Sequence, residues 1–278
     1  MSVVSADTVR KLFPKRKDWC HKGDFGKLLV VGGSRKYSGS PALSAMAAYR
    51  TGADLVTVAA PERAANIIAS FSPDIIACPL DGDFLDQKNL KPILELAKDS
   101  DAIVIGGGLG REKETLRTVL DFLKSAGQPV VVDADAIHAI SMRTEIIRDN
   151  WIITPHPKEF RILTHEEPEP NVENRERVVK YFASRFRTTI LLKGFIDVIS
   201  NGGDVFLNRT GNPCMTKGGT GDTLAGICGA LLARGARPLE AACAGAYING
   251  LAGSLAAKEH GEGMLASDIL NYIPRAIK

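Results

Sequence analysis

A glycine-rich loop that ends in a single acid is the segment of this sequence with the clearest chemistry. Residues 218–222 read GGTGD and lead into an apolar stretch with helical spacing. The glycines allow close backbone approach, and a helix starting near Gly221 would point unpaired N–H groups and its positive dipole end at a phosphate. Asp222 at the same terminus would accept a proton from an attacking hydroxyl. The pattern predicts phosphoryl transfer from a nucleotide to an alcohol; a plain helix cap built from Thr220 and Asp222 would not explain the glycines.

Five further polar or glycine-rich segments each follow a predicted strand. Ligands of open parallel sheets bind at the carboxyl ends of the strands, so we expect all five segments to line one rim. The segments are Gly32–Gly39, Gly106–Gly110, Asp133–Asp135, Thr154–Glu159 and Lys193–Asp197.

Three of these segments allow a structural as well as a functional interpretation. Asp133 and Asp135 could bind Mg²⁺ through water or hold a ribose, or could cap the next helix; we expect one to cap and the other to face the site. His156 lies between two prolines that fix its backbone, which favours a substrate contact over a surface role. Lys193 and Gly194 could approach phosphates, or Lys193 could be an exposed residue at the start of a hairpin.

The elements that must position these residues alternate between strands and helices. The strands are continuous apolar runs, which is typical of strands covered on both faces. The βαβα order predicts a mostly parallel sheet between helix layers, an α/β fold. The predicted strands are Lys27–Val31, Leu55–Ala59, Ile75–Cys78, Ala102–Ile105, Pro129–Val132, Trp151–Thr154 and Thr189–Leu192. The predicted helices between them include Pro41–Thr51, Glu62–Ser70, Glu114–Ser125 and Asn174–Phe186.

The C-terminal third has a different pattern. Ile196–Ser200 and Asp204–Leu207 flank an Asn-Gly-Gly turn, which predicts an antiparallel hairpin. Three helices follow, at 222–234, 238–259 and 266–277, and the first two are rich in Ala and Gly. We predict a single domain over residues 1–278, because no linker is evident and residues 1–26 are too few for a second domain.

Composition excludes several classes of protein. A net charge of +3 over 278 residues does not favour nucleic acid as a partner. The five cysteines are scattered without a CxxC pair, so we expect neither zinc nor a disulfide framework, and a cytoplasmic location fits best. No signal-peptide pattern or membrane-length apolar run is present in the sequence.

The motifs together resemble a known family, the nucleotide-dependent NAD(P)H-hydrate dehydratases of the ribokinase-like superfamily. The resemblance covers nearly the whole chain and is most specific at 208–226. Three positions depart from the family pattern: Ser40 stands where Ala is usual, Gly107 where Pro is common, and Asp197 where Thr is frequent. The acid at Asp197 bears on the choice of nucleotide. The other matching segments are His21–Gly23, Val30–Gly33, Gly39–Ser40, Arg50–Ala53, Gly106–Gly110, Asp133–Ala136, Thr154–Pro157 and Leu192–Gly194.

The resemblance implies dehydration of the S form of hydrated NADH or NADPH back to the intact dinucleotide. The ring hydroxyl would be phosphorylated by ADP, giving AMP, or by ATP, giving ADP, and phosphate would then be eliminated because it leaves more readily than hydroxide. Asp222 would be the base, and backbone N–H groups at Gly219–Gly221 would stabilise charge on the transferred group.

The resemblance also implies binding residues and partners. Ser40, Gly108, His156 and Asp222 would contact the hydrate. Mg²⁺ is the expected cofactor, with no protein ligand assigned, and the protein is expected to form a homo-oligomer, with a tetramer as one form. The nucleotide would be held by Lys193, Gly194, Phe195, Ile196, Asp197 and Gly221.

Two other functions use the same site. A small-alcohol kinase of this fold, acting for example on a vitamin precursor, would release the phosphate ester instead of eliminating phosphate. A non-catalytic nucleotide sensor would bind nucleotide without turnover. Thr154–Pro157 with Gly106–Gly110 favours the dehydratase over the kinase, and the intact Asp222 argues against the sensor.

Overall fold

A ten-stranded mixed sheet forms the centre of the protein in the computed structural model, which describes residues 2–278. The strand order is β1-β10-β9-β8-β7-β6-β5-β2-β3-β4. Strands β2 to β8 are parallel to one another, the pairs β8–β9 and β9–β10 are antiparallel, and β1 is parallel to β10. The strands are β1 Ser2–Val3, β2 Lys27–Val31, β3 Leu55–Pro61, β4 Ile76–Leu80, β5 Ala102–Ile105, β6 Val130–Val132, β7 Trp151–Ile153, β8 Thr189–Leu192, β9 Asp197–Ser200 and β10 Val205–Asn208.

Helices cover both faces of this sheet. Every helix predicted from the sequence is present, a helix (α6) follows Asp133 and Asp135 as expected, and α1 and α4 are additional to the prediction. Within residues 2–278, no helix has the length and apolar character needed to cross a membrane. The helices are α1 Ala6–Arg10, α2 Gly39–Thr51, α3 Glu62–Phe71, α4 Leu90–Lys98, α5 Lys113–Ser125, α6 Asp135–Ser141, α7 Pro157–Thr164, α8 Val172–Phe186, α9 Thr220–Ala233, α10 Pro238–His260 and α11 Ala266–Ile277.

Alternate side chains of the central strands enter two separate apolar clusters. In β2, Leu28 and Val30 pack toward the helices α2, α9, α10 and α11, while Leu29 and Val31 pack toward α4, α5 and α6. Both faces of the strand are therefore buried, which explains its unbroken apolar sequence.

The small residues of α9 allow it to lie against both α2 and the sheet. A Cβ at Gly226 would overlap the backbone carbonyl of Ser44 in α2, and a Cβ at Gly229 would overlap Val104 in β5. Gly245 in α10 is equally close to the sulfur of Cys228. Packing within this chain thus accounts for the glycines of these helices, and it brings the first turn of α9 beside the first turn of α2.

The segments after the parallel strands meet at one rim, as predicted. The N–H of Gly33 donates to the carbonyl of Gly107 at 2.9 Å. Further along the rim, the N–H of Lys193 donates to the carbonyl of Pro155 at 2.9 Å. These backbone contacts hold loops from distant parts of the sequence in fixed positions.

Candidate active site

The GGTGD loop forms the N-terminus of α9, as its sequence indicates. Gly219 is the N-cap residue, with a left-handed backbone at φ +97°. A side chain there would meet Leu43 and Ala266 within 3 Å, so the position needs glycine for space as well as for conformation. The hydroxyl of Thr220 donates to the carbonyls of Met215 and Lys217 at 3.0 and 3.1 Å, which folds the preceding loop against the helix start.

Asp222 lies in the first turn of α9 and is held by two serines of α2. The Ser40 hydroxyl donates to Oδ1 of Asp222, and the Ser44 hydroxyl donates to its backbone carbonyl at 2.9 Å. Burial, with the nearby Asp133 carboxylate, raises the pKa of Asp222 to about 6. A carboxylate with a pKa close to neutral is well suited to take a proton during catalysis.

Lys193 stands next to Asp222 within a cluster of buried charges. Its Nζ is 2.8 Å from Oδ1 of Asp133 and 3.9 Å from Oε2 of Glu159, and the Thr154 hydroxyl also donates to Oδ1 of Asp133. Burial alone would lower the pKa of Lys193, but the carboxylates of Asp133 and Glu159 outweigh the effect of burial and raise that pKa. A Cβ at Gly221 would lie 3.3 Å from Nζ, so this ammonium reaches the start of α9.

The two aspartates after β6 differ in position. Asp133 is buried and faces the site, in line with one half of the expectation. Asp135 lies in the first turn of α6 and accepts from the N–H of Gly110 at 3.0 Å and from Arg111 Nε at 2.8 Å. It does not cap the helix, because the N-cap residue is Ala134 and no side chain caps there.

Asp133 and Asp135, the two acids considered for Mg²⁺, are both engaged by protein donors. Asp133 binds Lys193 and Thr154, and Asp135 binds Arg111. Across the described residues, no group of three or more His, Cys, Asp or Glu side chains is arranged to hold a metal ion. The chain therefore offers no ready-made Mg²⁺ cage at Asp133 and Asp135.

His156 is the N-cap residue of α7. Its Nδ1 accepts from the N–H of Glu159 at 3.1 Å, and Oε2 of Glu159 accepts from the N–H of His156 at 2.9 Å. Burial and the nearby Lys193 lower the pKa of His156. An accepting Nδ1 on a neutral imidazole places the proton on Nε2, and the side chain is 48% exposed. The ring is therefore fixed, with its Nε2 3.4 Å from Oε1 of Glu159 on a side chain that is half exposed.

The loop 193–197 is braced from inside the protein. Asp197 accepts from the N–H of Gly194 at 2.9 Å and from Asn208 Nδ2 at 3.0 Å, and burial raises its pKa. Arg175 of α8 donates to the carbonyls of Leu192 and Lys193 at 3.3 and 3.0 Å. The carboxyl of Asp197 thus shapes this loop rather than extending freely toward a ligand.

A cavity of about 680 Å³ opens beside this loop and the N-terminus of α9. Ile196, predicted to bind the nucleotide, does not line this cavity and packs against an apolar core cluster. Ser40, Gly108 and Asp222 form a second group outside the cavity lining, in which a Cβ at Gly108 would lie 3.5 Å from the Ser40 Cβ. The predicted residues that line the cavity are His156, Lys193, Gly194, Phe195, Asp197 and Gly221.

Several cavity residues are absent from the sequence prediction. Lys217 immediately precedes the GGTGD run and Asn212 lies six residues before it, so proximity to that motif could have identified them. Asn249 lies in the middle of α10 and bonds the Thr223 hydroxyl and the Thr220 carbonyl. No local sequence signal marks Asn249, because its role depends on the packing of α10 against α9.

Known proteins with similar sequence and structure share a family description. A family model described as NAD(P)H-hydrate dehydratase matches residues 28–275. A protein from Cenarchaeum symbiosum named ADP-dependent (S)-NAD(P)H-hydrate dehydratase is 39% identical over 278 residues, covering 99% of this chain and 96% of that protein. A crystal structure of the ADP/ATP-dependent NAD(P)H-hydrate dehydratase from Bacillus subtilis, co-crystallised with ATP and Mg²⁺, matches with a TM-score of 0.81 at 28% identity, covering 100% and 99% of the two chains.

Longer relatives also match. A bifunctional NAD(P)H-hydrate repair enzyme from Methanothermobacter thermautotrophicus is 43% identical over 266 residues. The aligned region covers 94% of this chain but 51% of that protein. The chain thus spans about half the length of the bifunctional relatives that it matches.

Proposed function

Because this chain belongs to the NAD(P)H-hydrate dehydratase family, we propose that it restores hydrated NADH or NADPH, in the S form, to the intact dinucleotide at the expense of a nucleotide. The enzyme would be a carbon–oxygen lyase on a ribokinase-like fold, and the likeness to the Bacillus subtilis structure confirms that predicted fold. The observation that carries the proposal is the position of the Asp222 carboxylate, at the N-terminus of α9 and beside a cavity large enough for a nucleotide.

The proposed reaction has two steps. Asp222 takes the proton of the ring hydroxyl, and the oxygen of that hydroxyl attacks the terminal phosphoryl group of the donor. AMP then leaves when the donor is ADP, or ADP leaves when the donor is ATP. The carbon–oxygen bond of the phosphorylated ring then breaks, phosphate departs, and loss of a proton from the neighbouring carbon restores the double bond. The N–H groups of Gly219–Gly221 would stabilise the charge on the phosphoryl group in the first step.

The residues divide into two subsites in this proposal. Ser40, Gly108 and His156 face the hydrate, and the Nε2–H of His156 donates to it. Lys193, Gly194, Phe195, Asp197 and Gly221 bind the donor in the cavity, and the Phe195 ring is exposed there. The ammonium of Lys193 supplies positive charge beside Gly221.

We propose that Mg²⁺ enters as part of the nucleotide complex. Mg²⁺ usually keeps several waters and binds through substrate phosphates, with few protein ligands. This mode agrees with the pairing of Asp133 with Lys193 and of Asp135 with Arg111, and the relative from Bacillus subtilis was crystallised with ATP and Mg²⁺. We further propose a homo-oligomer, such as a tetramer, in the cytoplasm, with neither nucleic acid nor membrane as a partner.

The direct test is recovery of the reduced nicotinamide absorbance. Purified protein and Mg²⁺ are mixed with hydrated NADH and either ADP or ATP. Recovery with one donor is expected, and the same assay identifies the donor. No recovery with either donor, together with accumulation of a phosphate ester from a small alcohol, would replace the dehydratase by the kinase.

His156→Ala is expected to raise the KM for the hydrate about tenfold, the typical cost of one hydrogen bond to a bound ligand, with little change in the KM for the donor. His156→Asn is the matched control, because Asn is a good N-cap residue and can keep the start of α7 intact. Steady-state kinetics on both variants would separate substrate binding from helix capping. An unchanged hydrate KM in His156→Ala would remove this residue from the substrate site.

A further inference from the structure

The first turn of α2 meets the carboxylate of Asp222 through a single hydroxyl group. We propose that Ser40 is a positioning residue for Asp222: its hydroxyl fixes Oδ1 and thereby leaves Oδ2 as the oxygen that accepts the substrate proton. This inference rests on the proposed function, in which Asp222 is the base. It assigns to Ser40 a task different from the substrate contact expected from the sequence.

Two serines on one helix give Asp222 a defined position. Ser40 donates to the side-chain Oδ1 and Ser44, one turn later, donates to the backbone carbonyl. The close packing of α9 on α2 at Gly226 brings the two helices together at this point. Among residues 2–278, no protein donor binds Oδ2, and Asp222 is only partly buried by area. The second oxygen is therefore left for a ligand.

Gly107 provides the space for this hydrogen bond. Its backbone is not in the left-handed region that favours glycine, so the chain conformation does not require glycine there. A Cβ at Gly107 would overlap the Ser40 hydroxyl and would lie 2.8 Å from Oδ1 of Asp222. The absence of a side chain at Gly107 and the hydroxyl at Ser40 are thus two parts of one arrangement around the carboxylate.

The hydrogen bond from Ser40 affects the balance between the protonated and the ionised form of Asp222. Burial and the Asp133 carboxylate favour the protonated acid, which could not act as a base. The Ser40 hydroxyl and the Lys193 ammonium oppose them and favour the carboxylate. Glu159 acts on the same balance through its contact with Lys193. Loss of the Ser40 hydroxyl should therefore raise the pKa of Asp222.

The first test compares the pH dependence of Ser40→Ala and Ser44→Ala. In Ser40→Ala, we expect the acidic limb of kcat/KM to move to higher pH by about one pH unit, the usual weight of one hydrogen bond to a charged group. At pH values on the acidic limb, kcat/KM of Ser40→Ala should be roughly tenfold below that of the wild type, and the difference should be smaller at pH 8. Ser44→Ala removes the same group from the same helix but leaves the carboxylate bonded, so its limb should not move. Coincident limbs in Ser40→Ala and the wild type would overturn the proposal.

The second test is a double-mutant cycle between Ser40 and Gly107. Gly107→Ala should lower kcat by about 10–100-fold, because displacing a catalytic group by about 1 Å is costly. In Ser40→Ala/Gly107→Ala the overlapping hydroxyl is gone, and part of the activity should return. Losses that simply multiply would contradict a shared arrangement. Circular dichroism and thermal unfolding on each variant identify any that fail to fold.

Asp222→Asn in the same series separates this inference from the proposed function. Turnover close to wild type in Asp222→Asn would overturn the assignment of the base. An inactive Asp222→Asn together with an unmoved limb in Ser40→Ala would overturn the role of Ser40 alone. An inactive Asp222→Asn with a shifted limb in Ser40→Ala would support both.

Discussion

Asp222→Asn is expected to lower kcat by about 10²–10⁴-fold, the usual contribution of a general base, while the protein stays folded and binds nucleotide. Asn has nearly the shape of Asp, and its amide oxygen can still accept from the Ser40 hydroxyl. It cannot take a proton from the attacking hydroxyl. The loss should therefore fall on kcat rather than on the KM of the donor.

Single-turnover formation of phosphate, with donor affinity from calorimetry, would measure these two effects separately. Asp268→Asn is a matched control, since Asp268 lies in the first turn of α11 and accepts only from the N–H of Leu265 there. We expect that control to behave as the wild type. Turnover of Asp222→Asn within a few-fold of wild type would show that another group is the base.

The same carboxylate predicts the pH dependence of the wild-type enzyme. Burial and Asp133 raise the pKa of Asp222 to about 6, so the fraction of ionised base falls as the pH drops through that value. We expect kcat/KM to decline tenfold per pH unit below the limb when one protonation abolishes activity. A profile that stays flat between pH 5 and pH 8 would contradict Asp222 as the titrating base.

The parallel strands and the GGTGD loop were predictable because their signals are local. Continuous apolar runs such as Ala102–Ile105 have no polar face to place in water, so burial on both faces follows directly. A glycine run before an acid and an apolar helix is likewise visible within about ten residues. Both features lie in the structure where their sequence places them.

The partners of the charged residues could not be predicted in this way. Ser40 and Asp222 are separated by 182 residues, and Lys193 and Asp133 by 60. Their contacts depend on the packing of α2 against α9 and on adjacent strand ends, which no short pattern records. Thus the sequence indicates Lys193 as a phosphate contact, whereas the structure also pairs it with a buried acid.

The helix α7 is a different case, because its start signal is local but incomplete. His156, Pro157 and Glu159 occupy the N-cap, N1 and N3 positions of a capping box. Pro at N1 and Glu at N3 are common helix-start signals, but His is not among the usual N-cap residues. The two prolines fix the backbone on both sides of His156, and the second one begins the helix.

Lys193→Met is expected to lower the free energy of unfolding at pH 7 by about 3 kcal/mol, toward the lower end of the cost of leaving buried charges unpaired. The change leaves the carboxylates of Asp133 and Glu159 without their ammonium, and their side chains are only 5% and 7% exposed. The 19% exposure of Lys193 admits some water, which moderates the loss. Urea unfolding at equilibrium would measure it.

A second replacement distinguishes this electrostatic cause from lost packing. In Lys193→Met/Asp133→Asn one of the uncompensated charges is also removed, so part of the stability should return. Lys217→Met removes an exposed lysine at the same cavity, and we expect its stability to stay within about 0.5 kcal/mol of wild type. Both single variants remove a cation near the proposed nucleotide, so weaker donor binding alone would not explain a difference in unfolding.

The deficit of Lys193→Met should also shrink as the pH falls from 8 to 5. Burial already raises the pKa of Glu159 in the folded protein, and loss of Lys193 removes the charge that opposes this shift. A group whose pKa is higher in the folded state binds more protons there, so folding gains stability as the pH decreases through that pKa. Lys193 has a raised pKa and stays charged throughout this range, so the stability of the wild type depends less on pH. Equal unfolding midpoints for the variant and the wild type at pH 8 would show that the ammonium does not compensate these acids.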